Sequence, residues 1–251
     1  MSEALELKSF ASDMRVVVAG AGGGIGSAMV EMLAASSRVR KIYGLTRSRP
    51  SPSHHKVESI PFDLQDENSI AEAAERCKAS GPVDLVFVAT GLLHEGKSLS
   101  PEKSWRSLDS HSLAQTFAIN AIGPALMAKH FLDLLRPGEK SVFAALSARV
   151  GSIEDNRLGG WHSYRASKAA LHMLMRTCAI ELARRNPSAL CIALHPGTVD
   201  TDLSKPFQTN VPEGKLFTPA YAAERLMHVI DSLSSSDSGS AFAWDGRRIP
   251  F

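Results

Sequence analysis

The sequence predicts an α/β fold: a single-domain, Rossmann-like, doubly wound parallel sheet of about seven strands flanked by helices on both faces. Three observations lead there. Short β-branched runs alternate with long helical patterns, which is the signature of βαβ units. A glycine-rich turn joins the first strand pattern to the first helical one, as at the phosphate-binding crevice of such sheets. No compositional break divides the 251 residues, a length within the range of one α/β domain.

The elements follow in order. Strand patterns fall at residues 15–19, 41–46, 58–62, 83–90, 141–147, 189–195 and 240–244. Helical patterns fall at 24–36, 66–79, 104–135, 163–185 and 218–233. Three loops stand out: 47–56 is basic and proline-rich, 91–104 is polar, and 196–219 is long and irregular. Long loops in a compact domain are commonly functional, and two of these follow carboxyl ends of strands, where open α/β sheets bind ligands. Residues 1–251 are expected to form one domain, with 1–13 a flexible lead and 196–219 a substrate loop.

Composition excludes several classes. Hydrophobic residues make up 44% and charged residues 22%, with a mean hydropathy of -0.07, which reads as globular without a bias toward disorder. A net charge of +2 argues against a nucleic-acid surface, and no like-charge block suggests a tail. Cys77, Cys178 and Cys191 form no C-x-x-C pair, so no disulfide framework or zinc site is indicated and a reducing cytoplasm is expected. The start "MSEALELKSFASDM" has acids where a signal peptide needs a basic lead, and no apolar run of membrane-spanning length follows, so no membrane association is expected. Nine histidines suggest no metal, because His-x-x-x-His and His-Glu-x-x-His spacings are absent.

The stretch "VVVAGAGGGIGSAMVEML" raises the question of which phosphate it holds. A P-loop needs Gly-Lys-Ser/Thr, and no lysine lies between Arg15 and Lys41. The spacing G-x-G-x-x-G also fails, because Ile25 and Ser27 stand where the third glycine would be. What remains is Gly20-x-x-x-Gly24-Ile25-Gly26, whose missing Cβ atoms let backbone N–H groups and a helix N-terminus approach a pyrophosphate; a purely structural tight turn is the alternative. After the second strand the chain reads Thr46, Arg47, Ser48, Arg49, with no acid between Glu31 and Glu58. An acid there would hold a ribose 2′-OH and an arginine accommodates a 2′-phosphate, so NADP(H) is expected over NAD(H). Arg47 supplies paired donors, with Arg49 and Lys56 adding charge; a solvated basic loop is the plain alternative. Asp63, with Leu64 beside it after the third strand, either accepts a hydrogen bond from adenine or stands at a helix N-terminus.

Tyr164 and Lys168 are four residues apart in a helical pattern and rise on one face. An ammonium near a phenol favours the phenolate and brings tyrosine toward useful acid–base chemistry. With the glycine spacing above, "SYRASK" resembles the Tyr-x-x-x-Lys segment of the short-chain dehydrogenase/reductase family, and the resemblance covers nearly the whole chain. "LSARVGSIEDNRLGGWHSYRASKAAL" and "HPGTVDTDLSKPF" look most like its C-factor and sniffer-type carbonyl reductase branch.

The resemblance implies an NADP(H)-dependent oxidoreductase moving hydride between nicotinamide and a carbonyl or alcohol. In it Tyr164 is the general acid/base, Lys168 binds the nicotinamide ribose, and Asn120 holds a water that reloads the proton. Pro196, Gly197, Val199 and Thr201 then flank the nicotinamide, and the helix after Tyr164 contributes to a homodimer or homotetramer; its stripe of Leu171, Leu174, Met175, Cys178 and Leu182 reads by default as core packing, with part of it at the subunit interface on the family resemblance. Two departures stand out. Val88-Ala89-Thr90-Gly91 replaces the family's Asn-Asn-Ala-Gly, so Ala89 and Gly91 line the adenosine by backbone only. The catalytic serine falls on Ser147 counted from the fifth strand but on Ala148 counted back from Gly151; Ser147 is expected to orient the carbonyl oxygen. The alternative function is a nucleotide-bound signalling or regulatory protein with little catalysis. A binding module without cofactor would leave Tyr164, Lys168 and Asn120 without a purpose.

Overall fold

The computed structural model describes residues 6–96 and 98–251. In chain order the elements are β1 (Met14–Ala19), α1 (Gly24–Ala35), β2 (Val39–Thr46), β3 (Val57–Pro61), α2 (Glu67–Lys78), β4 (Leu85–Val88), α3 (Ser110–Phe117) and α4 (Gly123–Phe131). There follow β5 (Ser141–Leu146), α5 (His162–Arg185), β6 (Ala189–His195), β7 (Thr198–Val199), β8 (Leu216–Phe217), α6 (Pro219–Ser232), β9 (Ala241–Ala243) and β10 (Arg248–Ile249). The main sheet runs β10-β9-β6-β5-β4-β1-β2-β3. Its order reverses at β1, beside β4, so the crevice lies where the glycine loop and the 91–104 loop leave the sheet.

Helices cover both faces, which is why β4 and β5 are buried at every position. On one face Ile70 and Ala73 of α2, Met127 and Phe131 of α4, and Leu171 and Met175 of α5 join a single core. On the other, Met29 and Leu33 of α1 pack with Leu226 and Ile230 of α6. Leu171, Met175 and Leu182 of the α5 stripe are buried in this monomer, while Leu174 and Cys178 pack partly against it.

Four features depart from the sequence expectation. Among the described residues the sheet has eight strands: β10 turns back antiparallel on β9, through Gly246 with φ +83°. The loop 196–219 contains its own parallel pair, β7 with β8. The expected flexible lead is docked over its described part: Leu7 and Phe10 are buried in the α1/α6 core, and the Phe10 carbonyl accepts from Arg38.

The single long helix expected at 104–135 is broken. Asp109 caps α3 by accepting from the N–H groups of His111 and Ser112, and Ala118–Ile122 forms one π turn before α4. Pro124 has no N–H, so the Asn120 carbonyl loses the donor an α-helix would supply four residues on, and the wider turn absorbs the defect.

Candidate active site

The glycine loop is shaped by close approach. A Cβ on Gly26 would lie 2.1 Å from the Gly20 carbonyl oxygen, and one on Gly24 2.6 Å from Thr201 Cγ2. Gly20 itself has φ +82° and faces Ala89 and Thr90. Gly22, which spacing left unconstrained, is equally restricted: its Cβ would sit 2.3 Å from the Arg49 carbonyl oxygen. Helix α1 starts here behind Gly23, with no side-chain cap and no acid in its first turn, so its first N–H groups are presented to an anion. Ile25 anchors the turn by packing on the α1/α6 core.

A groove of about 440 Å³ opens over this turn, lined by Gly22, Gly24, Ser27, Arg49 and Pro219. The glycine cradle and the uncapped helix end fit the pyrophosphate of a dinucleotide. Arg49 lines the groove and pairs with Asp202 at 3.0 Å, whereas Arg47 is exposed beyond it. Lys56 adds no charge there, because its Nζ donates to the carbonyls of Ala34 and Ser36 at the end of α1. Asp63 Oδ1 accepts from the Gln65 N–H at 3.0 Å; the cap of α2 is Asp66 instead. Leu64 is buried against Gly123, where a Cβ would come within 2.4 Å of it. Gly197 has φ +79° and lies under the Phe217 ring, so Pro196, Gly197 and Val199 carry the chain from β6 to Thr201 on the glycine loop.

Tyr164 and Lys168 occupy the first turns of α5. Lys168 Nζ donates to the Leu146 carbonyl at 2.9 Å and lies 5.8 Å from the Tyr164 ring centre. Burial pushes the Tyr164 phenol above its ordinary value and the Lys168 ammonium down to about 7. The direction is opposite to the lowering expected of the tyrosine, and its cause is burial of the phenol. The Asn120 side chain is fully engaged. Its Oδ1 accepts from Leu92 N–H and its Nδ2 donates to the Leu92 carbonyl, both at 2.8 Å, and to Ser167 Oγ at 3.1 Å. Gly91 fills the space between them, since its Cβ would come 3.7 Å from Asn120 Oδ1 and 3.9 Å from Lys168 Nζ.

Ser147 does not fit the role expected of it. Its hydroxyl is buried and hydrogen-bonded to His172 Nε2 at 2.8 Å, while Ala148 packs with Tyr164 and Leu93. Ala148 is extended, with φ -146° and ψ 146°, and neighbouring side chains of an extended segment point to opposite sides. Burial, then Lys168, depresses His172 to about 4, so the ring is neutral, and its Nε2 and the Ser147 hydroxyl share one hydrogen bond.

Residues without a motif complete the site. Val150, Trp161, Leu203 and Phe207 close over the Tyr164 cluster, and Trp161 meets Phe207 edge-on at 5.1 Å. His94 contacts the same loop, its Nε2 lying 3.0 Å from the Asp202 carbonyl. Gly159, Gly160 and Trp161 all have positive φ, so α5 begins on a left-handed Trp161 that offers no side-chain cap. Glu102 replaces the cap: its carboxylate accepts from the Ser163 N–H at 3.1 Å and from the Ser163 hydroxyl, and its carbonyl accepts from the Trp161 N–H. Only its place in a polar loop could have marked Glu102, since no spacing announces a cap from 61 residues away.

Comparison with known proteins agrees with this geometry. The family pattern for short chain dehydrogenase matches residues 14–212. C-signal of Myxococcus xanthus is 34% identical over 173 residues, covering 68% of this chain and 95% of that protein. The 1-hydroxy-2-glutathionyl-2-methyl-3-butene dehydrogenase of Rhodococcus sp. is 34% identical over 185 residues, covering 73% and 76% respectively. Among solved structures, NADPH-bound carbonyl reductase from chicken fatty liver superposes with a TM-score of 0.81 at 24% identity, covering 100% of both chains. Carbonyl reductase Sniffer of D. melanogaster does so at 0.80 and 18%, covering 96% of this chain and 100% of that one. These two likenesses are of fold. With the family pattern spanning most of its length, this chain belongs to the short-chain dehydrogenase family of oxidoreductases.

Proposed function

We propose that the chain is an NADP(H)-dependent carbonyl reductase in which Tyr164 gives a proton to the substrate oxygen. The observation that carries this reading is the buried Tyr164, with Lys168 Nζ 5.8 Å from its ring centre and tied to the Leu146 carbonyl. When bound, a nicotinamide dinucleotide supplies or accepts hydride. Gly20, Gly24, Ile25 and Gly26 form the cradle for its pyrophosphate, with Arg49 and Arg47 for a 2′-phosphate and Asp63, Leu64, Ala89 and Gly91 on the adenosine side. Pro196, Gly197, Val199 and Thr201 would flank the nicotinamide. Lys168, whose Nζ is oriented by the Leu146 carbonyl, binds the nicotinamide ribose. Asn120 positions the site, its side chain tying the Leu92 backbone to Ser167 beside Tyr164. The apolar wall of Leu93, Val150, Trp161, Leu203 and Phe207 excludes water from Tyr164 and suits an apolar substrate.

A homodimer or homotetramer is part of the proposal, supported by exposed Met173 and Ile180 on α5 and Ile122 before α4. Free Cys77, Cys178 and Cys191 support a cytoplasmic setting; no helix among the described residues is long and apolar enough to cross a membrane. The regulatory reading is favoured by one observation, Ala148 facing Tyr164. NADPH and NADH consumption across aldehydes, ketones and diketones tests the choice. Turnover with NADPH that disappears in Tyr164→Phe, with NADPH affinity retained, is expected. An active Phe variant refutes the role of Tyr164, and NADPH binding without turnover favours the regulator.

A further inference from the structure

We propose that Ala148 leaves a substrate oxygen at Tyr164 with one hydroxyl donor, so that the site selects carbonyl compounds by their electrophilicity and acts poorly on electron-rich ketones. The inference rests on the carbonyl reductase reading and deepens it.

Four polar side chains close to Tyr164 are committed elsewhere. Ser147 bonds to His172, on the opposite side of the extended segment from Ala148. The Ser163 hydroxyl donates to Glu102 and the Ser167 hydroxyl to the Tyr164 carbonyl. Lys168 Nζ is held by Leu146. What lies against the phenol is Ala148 and Leu93, enclosed by Val150, Trp161, Leu203 and Phe207. The arrangement of Ser147 is a built one: His172 is buried, neutral, and overlaid by the Phe251 ring at 5.6 Å. Turning Ser147 toward Tyr164 would leave that buried nitrogen without its hydrogen-bond partner.

In carbonyl reduction a hydride from the reduced nicotinamide forms the new C–H bond. The π pair of the C=O bond moves to oxygen, and Tyr164 gives its proton there, leaving an alcohol and oxidised nicotinamide; solvent reprotonates the phenolate. Charge builds on oxygen before the proton is fully transferred. Removing one donor from such an oxygen costs about 10²–10³ in rate. A substrate whose substituents already withdraw that charge loses less.

The test compares 4-nitroacetophenone with 4-methoxyacetophenone, using NADPH and three proteins: wild type, Ala148→Ser and Ser147→Ala. Wild type is expected to prefer the nitro ketone by about 10²-fold or more in kcat/KM, and Ala148→Ser to raise the methoxy ketone by about 10²-fold and compress the preference. Ser147→Ala is expected to melt earlier while keeping the wild-type preference. An independent readout is the infrared C=O stretch of carbonyl-¹³C 4-methoxyacetophenone bound with NADP⁺, which should move to lower frequency in Ala148→Ser and stay in place in Ser147→Ala. An unchanged preference and stretch in Ala148→Ser overturns the proposal. So does a shift in Ser147→Ala, which would return the oxygen to Ser147. Absence of NADPH consumption with every protein and ketone defeats the carbonyl reductase reading, whereas turnover with an unaltered preference defeats only this one.

Discussion

Replacing Glu102 with alanine removes a buried carboxylate that acts as the N-terminal cap of α5 from another part of the chain. The magnitude follows from the groups left behind. Trp161 offers no capping side chain, so the Ser163 N–H loses its partner, at about 1 kcal/mol for a typical cap. The buried Ser163 hydroxyl loses its acceptor at about 1–3 kcal/mol, giving about 2–4 kcal/mol in all. Unfolding entropy of about 2.1 cal/mol/K per residue makes each kcal/mol worth about 2 °C for a chain of this size, so the melting midpoint should fall by about 4–8 °C. Glu102→Gln keeps an acceptor oxygen but gives up the charge at the helix end, and should fall by about half as much. Circular dichroism melts at pH 7 measure both. Because Tyr164 directly follows Ser163, kcat should fall with little change in KM, and glutamine should rescue part of it. A Glu102→Ala protein melting within about 1 °C of wild type would refute the capping argument, since even the weaker cap term exceeds that.

Other perturbations read different parts of the site. His172 and His195 are each depressed to about 4, chiefly by burial; the unfolded chain therefore binds more protons below 6.5, and stability present above that pH is lost as pH falls toward 4. His172→Gln, which can still accept from Ser147, should flatten that acid loss by about 3 kcal/mol, measured by urea denaturation between pH 7 and 4; an unaltered slope would contradict the burial. Gly26→Ala should destabilise by about 1–3 kcal/mol or fail to fold, because the new Cβ meets backbone at 2.1 Å; a wild-type melting curve would refute the close approach. Arg49→Ala should weaken NADPH binding about tenfold or more while sparing NADH, in keeping with a charge-assisted phosphate contact; if Arg47→Ala alone does this, the 2′-phosphate sits further along the loop.

The main strands were legible because a buried parallel strand announces itself by a continuous apolar run: β6 (Ala189–His195) coincides with its sequence expectation, and β5 falls within one residue of it. The features missed depend on weaker or longer-range signals. Asp245-Gly246, a hairpin pair, was hidden by the shortness of β9 and β10. The break before α4 was carried by Pro124, yet periodicity across residues 104–135 outweighed one proline. Leu7 and Phe10 are too few to form a pattern, and only the hollow between α1 and α6 makes them core. Within the site, helical spacing puts Tyr164 and Lys168 on one face of α5, and the glycine spacing and family resemblance, more than the pair alone, single them out. Ser147 against Ala148 could not, because a one-residue difference decides which side of an extended segment a hydroxyl faces, and that is settled by His172, 25 residues away.

The π turn at Ala118–Ile122 also works as a phase adjuster between two masters. Each helical residue advances about 100° around the axis, so Asn120, which must meet Leu92, and Phe131, which must meet the core, are offset by whatever the intervening turn contributes. The wide turn spends one residue more than an α turn over about one rotation, so it absorbs that residue and keeps Asn120 on Leu92 while Met127 and Phe131 stay on the core. Point substitutions there will be tolerated or not on chemistry alone. A one-residue loss within the turn keeps the flanking faces nearly in phase, whereas the same loss within α4 rotates every later position of that helix by about 100°.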